Sequence, residues 1–234
     1  MNSFKLINFR LSIMVRALII IFLFGVSFFS ASSQTLKKVK EKSKNSNTVF
    51  TFHVLDDEQT KEGAAEIKYK GNMGFRVKGQ YSQGNKSGTW DYFDSDNTLI
   101  QQYNFSTKSF EYLQDFKSVK AVYILKDEDL VEVKTGAMPV LLGGDAKFFY
   151  FLANNVRYPH AARAKGVTGT IGVMVTITKE GKMERPFIPK AGDKSLDAEA
   201  LRVVSLMPND WIPLYLDGKA TDSLVLLYFN FHMG

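Results

Sequence analysis

The sequence predicts an α+β chain, a run of short strands followed by a smaller module in which helices and strands alternate. Three observations carry that expectation. Residues 73–105 hold apolar, alternating segments separated by turn-forming residues. Residues 170–178 alternate strictly and are followed, over 196–207, by apolar residues at helical spacing. The last stretch, 223–232, returns to a period of two.

Bulk composition narrows the function. The chain has 234 residues and 45% hydrophobic content, enough for one large or two small folded domains. It has no cysteine, which excludes disulfides, thiol nucleophiles and thiolate metal sites together. Its 3 histidines, His53, His160 and His232, are far apart in sequence and form no ligand-spaced cluster. No cofactor is expected. The formal charge of +6 includes Lys5, Arg10 and Arg16, which lie in an N-terminal segment without acidic residues. The basic balance therefore gives no reason to expect a nucleic-acid partner.

That N-terminal segment has three parts. Residues 1–16 are cationic, residues 17–29 are an apolar run, and Ser30-Ala31-Ser32-Ser33-Gln34 supplies small residues. This is the layout of a secretory signal over 1–33, cleaved after Ser33. A spanning helix needs roughly 20 apolar residues. The alternative is an N-terminal anchor over 11–29, in which Arg16 would have to reach the interface. Both readings export the body of the chain. Residues 34–48, rich in lysine, read as a basic linker.

Residues 49–135 read as a small, mostly β domain. Val49 to Leu55 is a first strand. Phe75, Val77 and Tyr81 alternate, and Gly84-Asn85-Lys86-Ser87-Gly88 supplies turn chemistry. Thr89-Trp90-Asp91-Tyr92-Phe93 returns, Asp94-Ser95-Asp96-Asn97 turns again, and residues 98–105 form the next strand, which makes a meander. The run from Gly79 to Asp94 resembles one MORN-type hairpin repeat. Trp90 is expected in the core or on a strand face. Residues 116–133 carry further alternation and are expected as additional strand of this domain.

Residues 136–234 form the second module. Asp145 is expected to cap a helix bearing Phe148, Phe151 and Leu152 on one face. Tyr158-Pro159 ends it, and a short helix over 160–165 stops at Gly166. In the next strand Ile171, Val173, Val175 and Ile177 point one way. Pro186 and Pro189 interrupt the returning strand. Leu196, Ala200, Val203, Val204 and Met207 share a helix face, with Asp197 and Glu199 placed in the first turn, where the dipole favours anions. Trp211 is expected in the core. In the terminal strand Val225, Leu227, Phe229 and Phe231 alternate with Leu224, Leu226, Tyr228 and Asn230, with no charge between Asp222 and the C-terminus. A long, uncharged edge strand is a pairing hazard unless pairing is its role.

Gly143-Gly144, Tyr158-Pro159, Ala161-Ala162, Gly166, Gly169, Gly181, Leu196-Asp197, Pro208, Trp211-Ile212-Pro213 and Gly218-Lys219 together resemble the signature of the TonB C-terminal domain. The resemblance implies two helices packed on a three-stranded antiparallel sheet. It also implies a periplasmic protein that pairs its sheet edge with the short box peptide of outer-membrane transporters, driven by an inner-membrane proton-channel motor. Main-chain pairing would then place the partner on Leu224, Val225, Leu226, Leu227, Tyr228, Phe229, Asn230 and Phe231. Homodimerisation, or pairing of the strand on both sides within its own domain, is the alternative. The chain departs from the family in two ways. All 6 prolines lie at or beyond Pro139, so there is no proline-rich spacer, and the apolar segment holds Ser12 and Ser27 but no histidine. A soluble adaptor or sensor therefore stands beside the energy transducer. An enzyme is not expected: Asp193, Asp197 and Glu199 are explained by capping and dipole duty, and no nucleophile elbow or phosphate loop is present.

Overall fold

A computed structural model describes residues 35–43, 47–71, 73–135 and 138–233. The signal or anchor expected over 1–33 lies outside the described residues. Among them, no helix is long and apolar enough to cross a membrane. Leu36–Gly234 is one compact unit.

Its first half is a seven-stranded antiparallel meander: β1 (Lys37–Lys42), β2 (Thr48–Val54), β3 (Gly63–Tyr69), β4 (Phe75–Ser82), β5 (Asn85–Phe93), β6 (Leu99–Asn104) and β7 (Ser109–Leu113), paired in chain order. The strands expected between 73 and 105 are present, and the sheet extends beyond them on both sides. Lys37–Lys42, expected within a solvated linker, is instead an edge strand in register with β2. Only Val39 of β1 packs against the core, while the lysines face solvent and guard the edge. The β4–β5 turn is tighter than its glycines suggested. Gln83 and Gly84 make it alone, both at positive φ, which matches the twist of the flanking strands. Trp90 is fully buried. Its indole lies over Gly79, where an added Cβ would come within 2.2 Å of the ring, and it donates to the Gln80 carbonyl at 3.1 Å.

The chain continues through β8 (Val119–Lys126), β9 (Asp129–Glu132), β10 (Val140–Leu141), α1 (Gly144–Asn155), α2 (His160–Ala164), β11 (Gly169–Ile177), β12 (Met183–Phe187), α3 (Lys194–Ser205), β13 (Trp211–Ile212), β14 (Leu214–Leu216), β15 (Lys219–Thr221) and β16 (Ser223–Phe231). The second sheet has the order β12-β11-β16-β8-β9, with every pair antiparallel. It has five strands where three were expected. The additional two, β8 and β9, come from the stretch assigned by sequence to the middle region. Their alternation was legible, but the sheet they join was not. Val122 is buried in the C-terminal core beside Val225.

One face of this sheet is covered. Ile171, Val173, Val175, Ile177, Val225, Leu227, Phe229 and Phe231 meet Phe148 of α1 and Leu196, Ala200, Val203 and Val204 of α3. Trp211 is 4% exposed and belongs to the same core. Asp193, in extended conformation, caps α3 by accepting from the Ser195 and Leu196 amides. Asp145 is not a cap. Gly143 holds that position in left-handed conformation, and Asp145 sits in the first turn with its carboxylate turned to another segment.

Helix α1 belongs to both cores. Phe148 faces the five-stranded sheet, while Tyr150 packs with Phe75 and Tyr92 of the meander. Gln101, 1% exposed, reaches between them. Its amide donates to the Leu141 carbonyl at 3.1 Å and its carbonyl accepts from the Gly143 amide at 2.8 Å. Lys147 and Asp210 form an ion pair beside this clamp. The buried Gln101 clamp and a shared helix therefore tie the meander to the C-terminal core.

Candidate functional site

The candidate site lies along β16, so its geometry begins with that strand's period of two. Val225, Leu227, Phe229 and Phe231 are buried, while Tyr228 and Asn230 are exposed on the opposite face and Leu224 and Leu226 are partly covered there. On one side β16 pairs with β11 through an unbroken ladder, from Ser223 opposite Ile177 to Phe231 opposite Gly169.

The other side was expected to be the free edge, and over half its length it is not. Leu224 lies opposite Tyr123, Val225 opposite Val122, Leu226 opposite Ala121, and Leu227 opposite Val119 after a register shift. β16 is thus an interior strand, and the main chain of Leu224, Val225, Leu226 and Leu227 is already paired within its own sheet. Beyond Val119 the two segments part. Among the described residues, no strand pairs with Tyr228, Phe229, Asn230 or Phe231 on that side.

The parting has a local cause. The Asp145 carboxylate accepts from the Lys117 amide at 3.0 Å and from the Ser118 amide at 2.9 Å, and it also takes the Ser118 hydroxyl. These bonds draw the chain ahead of β8 towards the first turn of α1 and away from β16. What remains between α1 and the unpaired half-edge is a groove of about 230 Å³. Phe149, Leu152 and Ala153 of α1 with Val156 just after it form one wall, Phe229, Asn230 and Phe231 form the strand wall, and Met73 also lines the groove. Phe149 is 46% and Met73 47% exposed, so the groove is apolar and open to solvent.

Both outer edges of the five-stranded sheet and the β1 edge of the meander are blunted. β12 carries Pro186, a left-handed Arg185 and a register shift against β11. β9 is short and acidic at both ends. β1 is lined with lysines. These are the usual devices that stop a strand from recruiting another chain, and the Tyr228-to-Phe231 segment has none of them.

The carboxylates of α3 and its cap are engaged in bonds that hold the fold. Burial would push the Glu199 carboxyl up, but its bonds from Arg202 and from the Arg157 amide hold it below its ordinary value. It fastens α3 to the segment after α1. Among the described residues, no group of three His, Asp or Glu side chains is placed to hold a metal ion.

No curated protein and no solved structure matches the chain. Residues 154–233 match the family model described as Gram-negative bacterial TonB protein C-terminal, so the part of the chain that holds α2, α3 and strands β11 to β16 is similar to the TonB C-terminal domain, with β8 and β9 outside the match.

Proposed function

We propose that this is a periplasmic, TonB-like protein that captures an extended peptide of an outer-membrane transporter by adding it as a strand to β16. The observation that carries the reading is the unguarded half-edge of Tyr228, Phe229, Asn230 and Phe231, which lies in the family-matched part of the chain and is set beside the apolar wall of α1. Strand addition takes its affinity from main-chain hydrogen bonds and its selectivity from alternate side chains. A peptide in this groove would turn every second residue towards Phe149 and Leu152 and the others towards Tyr228 and Asn230.

The same reading places the chain in transmembrane transport, with an inner-membrane proton-channel motor as its source of energy where the N-terminal segment is retained. A second reading, a soluble periplasmic adaptor, is favoured by the meander. The Gln101 clamp fastens it directly to β10 and the start of α1, where a transducer would carry an extended spacer. The N-terminal sequence of the mature protein separates the two: a start at Gln34 disconnects the chain from an inner-membrane motor.

The binding itself is tested with synthetic box peptides of outer-membrane transporters titrated against the whole chain. Leu152→Glu puts a charge in the groove wall and is expected to weaken binding by about tenfold or more, because the burial of an unpaired carboxylate replaces an apolar contact. Binding that is equal in the variant and the parent would exclude this groove.

A further inference from the structure

We infer that the β8–β9 hairpin is a displaceable stand-in for the partner strand: a peptide enters at the open half-edge and then peels the hairpin from Leu224 to Leu227. The inference rests on the strand-addition reading of β16 and adds its regulation.

Several observations make this hairpin a weakly held neighbour of β16. β11 holds β16 through a continuous register along the whole strand, whereas β8 holds it over Leu224 to Leu227 with a shift inside that short span. Val122 is the one buried residue of β8, and every residue of β9 is exposed. Leu125 is 70% and Leu130 52% exposed, so the distal end contributes little to the core. The turn is strained as well. Asp127 and Glu128 both adopt positive φ, 50° and 73°, in a two-residue hairpin turn that favours Asn-Gly. The root of the hairpin is held differently. Asp145 fixes Lys117 and Ser118 to α1, and Val133 donates to the Val122 carbonyl at 2.8 Å.

The consequence is a two-part edge. Four positions are available at rest and four are occupied by a strand of the same chain. Resting occupancy lowers the apparent affinity by the fraction of molecules in which the edge is closed. It also covers an uncharged strand that would otherwise recruit other chains.

The absence of cysteine from the chain permits a clean test. Ala121 and Leu226 are directly opposite, so Ala121→Cys with Leu226→Cys can lock the hairpin by a disulfide that a reductant releases. Two fluorescent probes are titrated against the locked and reduced forms: transporter box peptides, and a synthetic peptide with the β8 sequence. Circular dichroism of both forms verifies the fold. The expected result is that the reduced form binds both probes and that the oxidised form binds each at least about tenfold more weakly. The Asp127→Asn/Glu128→Gly variant, with its turn relaxed, is expected to bind more slowly and more weakly than the parent, in the same direction as the lock.

Equal binding by the oxidised and reduced forms overturns the inference and leaves strand addition at the open half-edge standing. Exchange of the β8 peptide that the lock abolishes, with no box peptide bound by either form, supports the displaceable hairpin and overturns the transporter reading. No binding of either probe in any form overturns both.

Discussion

The two sides of β16 present the same backbone to neighbours of very different quality. Towards β11, the register is unbroken, and buried Ile171, Val173, Val175 and Ile177 stand beside Phe229, Leu227, Val225 and Ser223. Towards β8, pairing covers half the strand, slips once and carries one buried side chain. Backbone hydrogen bonds add only about 0.5–1.5 kcal/mol each in net terms. The difference between the two sides therefore lies mainly in apolar burial behind the ladder. A strand can be a permanent part of a core on one side and an exchangeable surface on the other.

The largest test of that contrast removes what the two sides share. Phe229 is 2% exposed and its ring lies 6.1 Å from that of Phe148. Phe229→Ala is expected to cost about 3–5 kcal/mol. The loss falls on the whole C-terminal core, so both sides of β16 should lose hydrogen-exchange protection together. Urea unfolding gives the magnitude. Protection that survives along β11 while it vanishes along β8 would show that the two sides do not share one core.

A smaller perturbation should separate them. Asp145→Ala removes a charged acceptor from the Lys117 and Ser118 amides and from the Ser118 hydroxyl. Bonds to a charged group are worth about 1.5–3 kcal/mol each, and the two amides can turn to water, so the low end of that range is expected overall. Exchange should accelerate in β8 and at Leu224 to Leu227 more than in β11. Equal acceleration in both would mean that Asp145 supports α1 rather than the hairpin root.

How much of this was legible follows the range of each signal. Trp90-Asp91-Tyr92-Phe93, the Ile171-to-Ile177 alternation and the apolar face of Leu196, Ala200, Val203 and Val204 are local patterns, and the strands and helix they announce are present. β3 was missed because Ala64 and Ala65 are weak strand formers between glycine and glutamate, and its pairing with β4 supplies what propensity lacks. The lysines of β1 concealed a strand because the same residues that mark a solvated linker also guard a sheet edge. The expected site residues, Leu224 to Phe231, lie on one strand as read. Which of them are available depends on β8, about a hundred residues away in sequence, and no local period encodes that pairing. The role of Asp145 was misread for a related reason. An aspartate after Gly-Gly has the look of a helix cap, and only the fold brings Ser118 to it.

The smallest expected effect lies at the junction of the two sheets and serves as a contrast to both sides of β16. Burial pushes the Asp210 carboxyl up, but the Lys147 charge and hydrogen bond, with Lys86 behind them, outweigh it and hold the group below its ordinary 3.8. A carboxylate depressed in this way stabilises the fold above its ordinary pKa, and the contribution is lost as pH falls through the depressed value. The chain should therefore lose stability below about pH 4, and Asp210→Asn should flatten that part of the profile. Nearly half of the Asp210 side chain, 48%, faces solvent, which keeps the contribution small. Hydrogen exchange in acid should report the loss around Leu141 and Trp211, where β10 meets β13, before either side of β16 responds. If the β8 side opens first, as acid reaches the depressed pKa of Asp210, the hairpin is coupled to the meander through α1, and the two sides of β16 differ in their links to the rest of the molecule as well as in their burial.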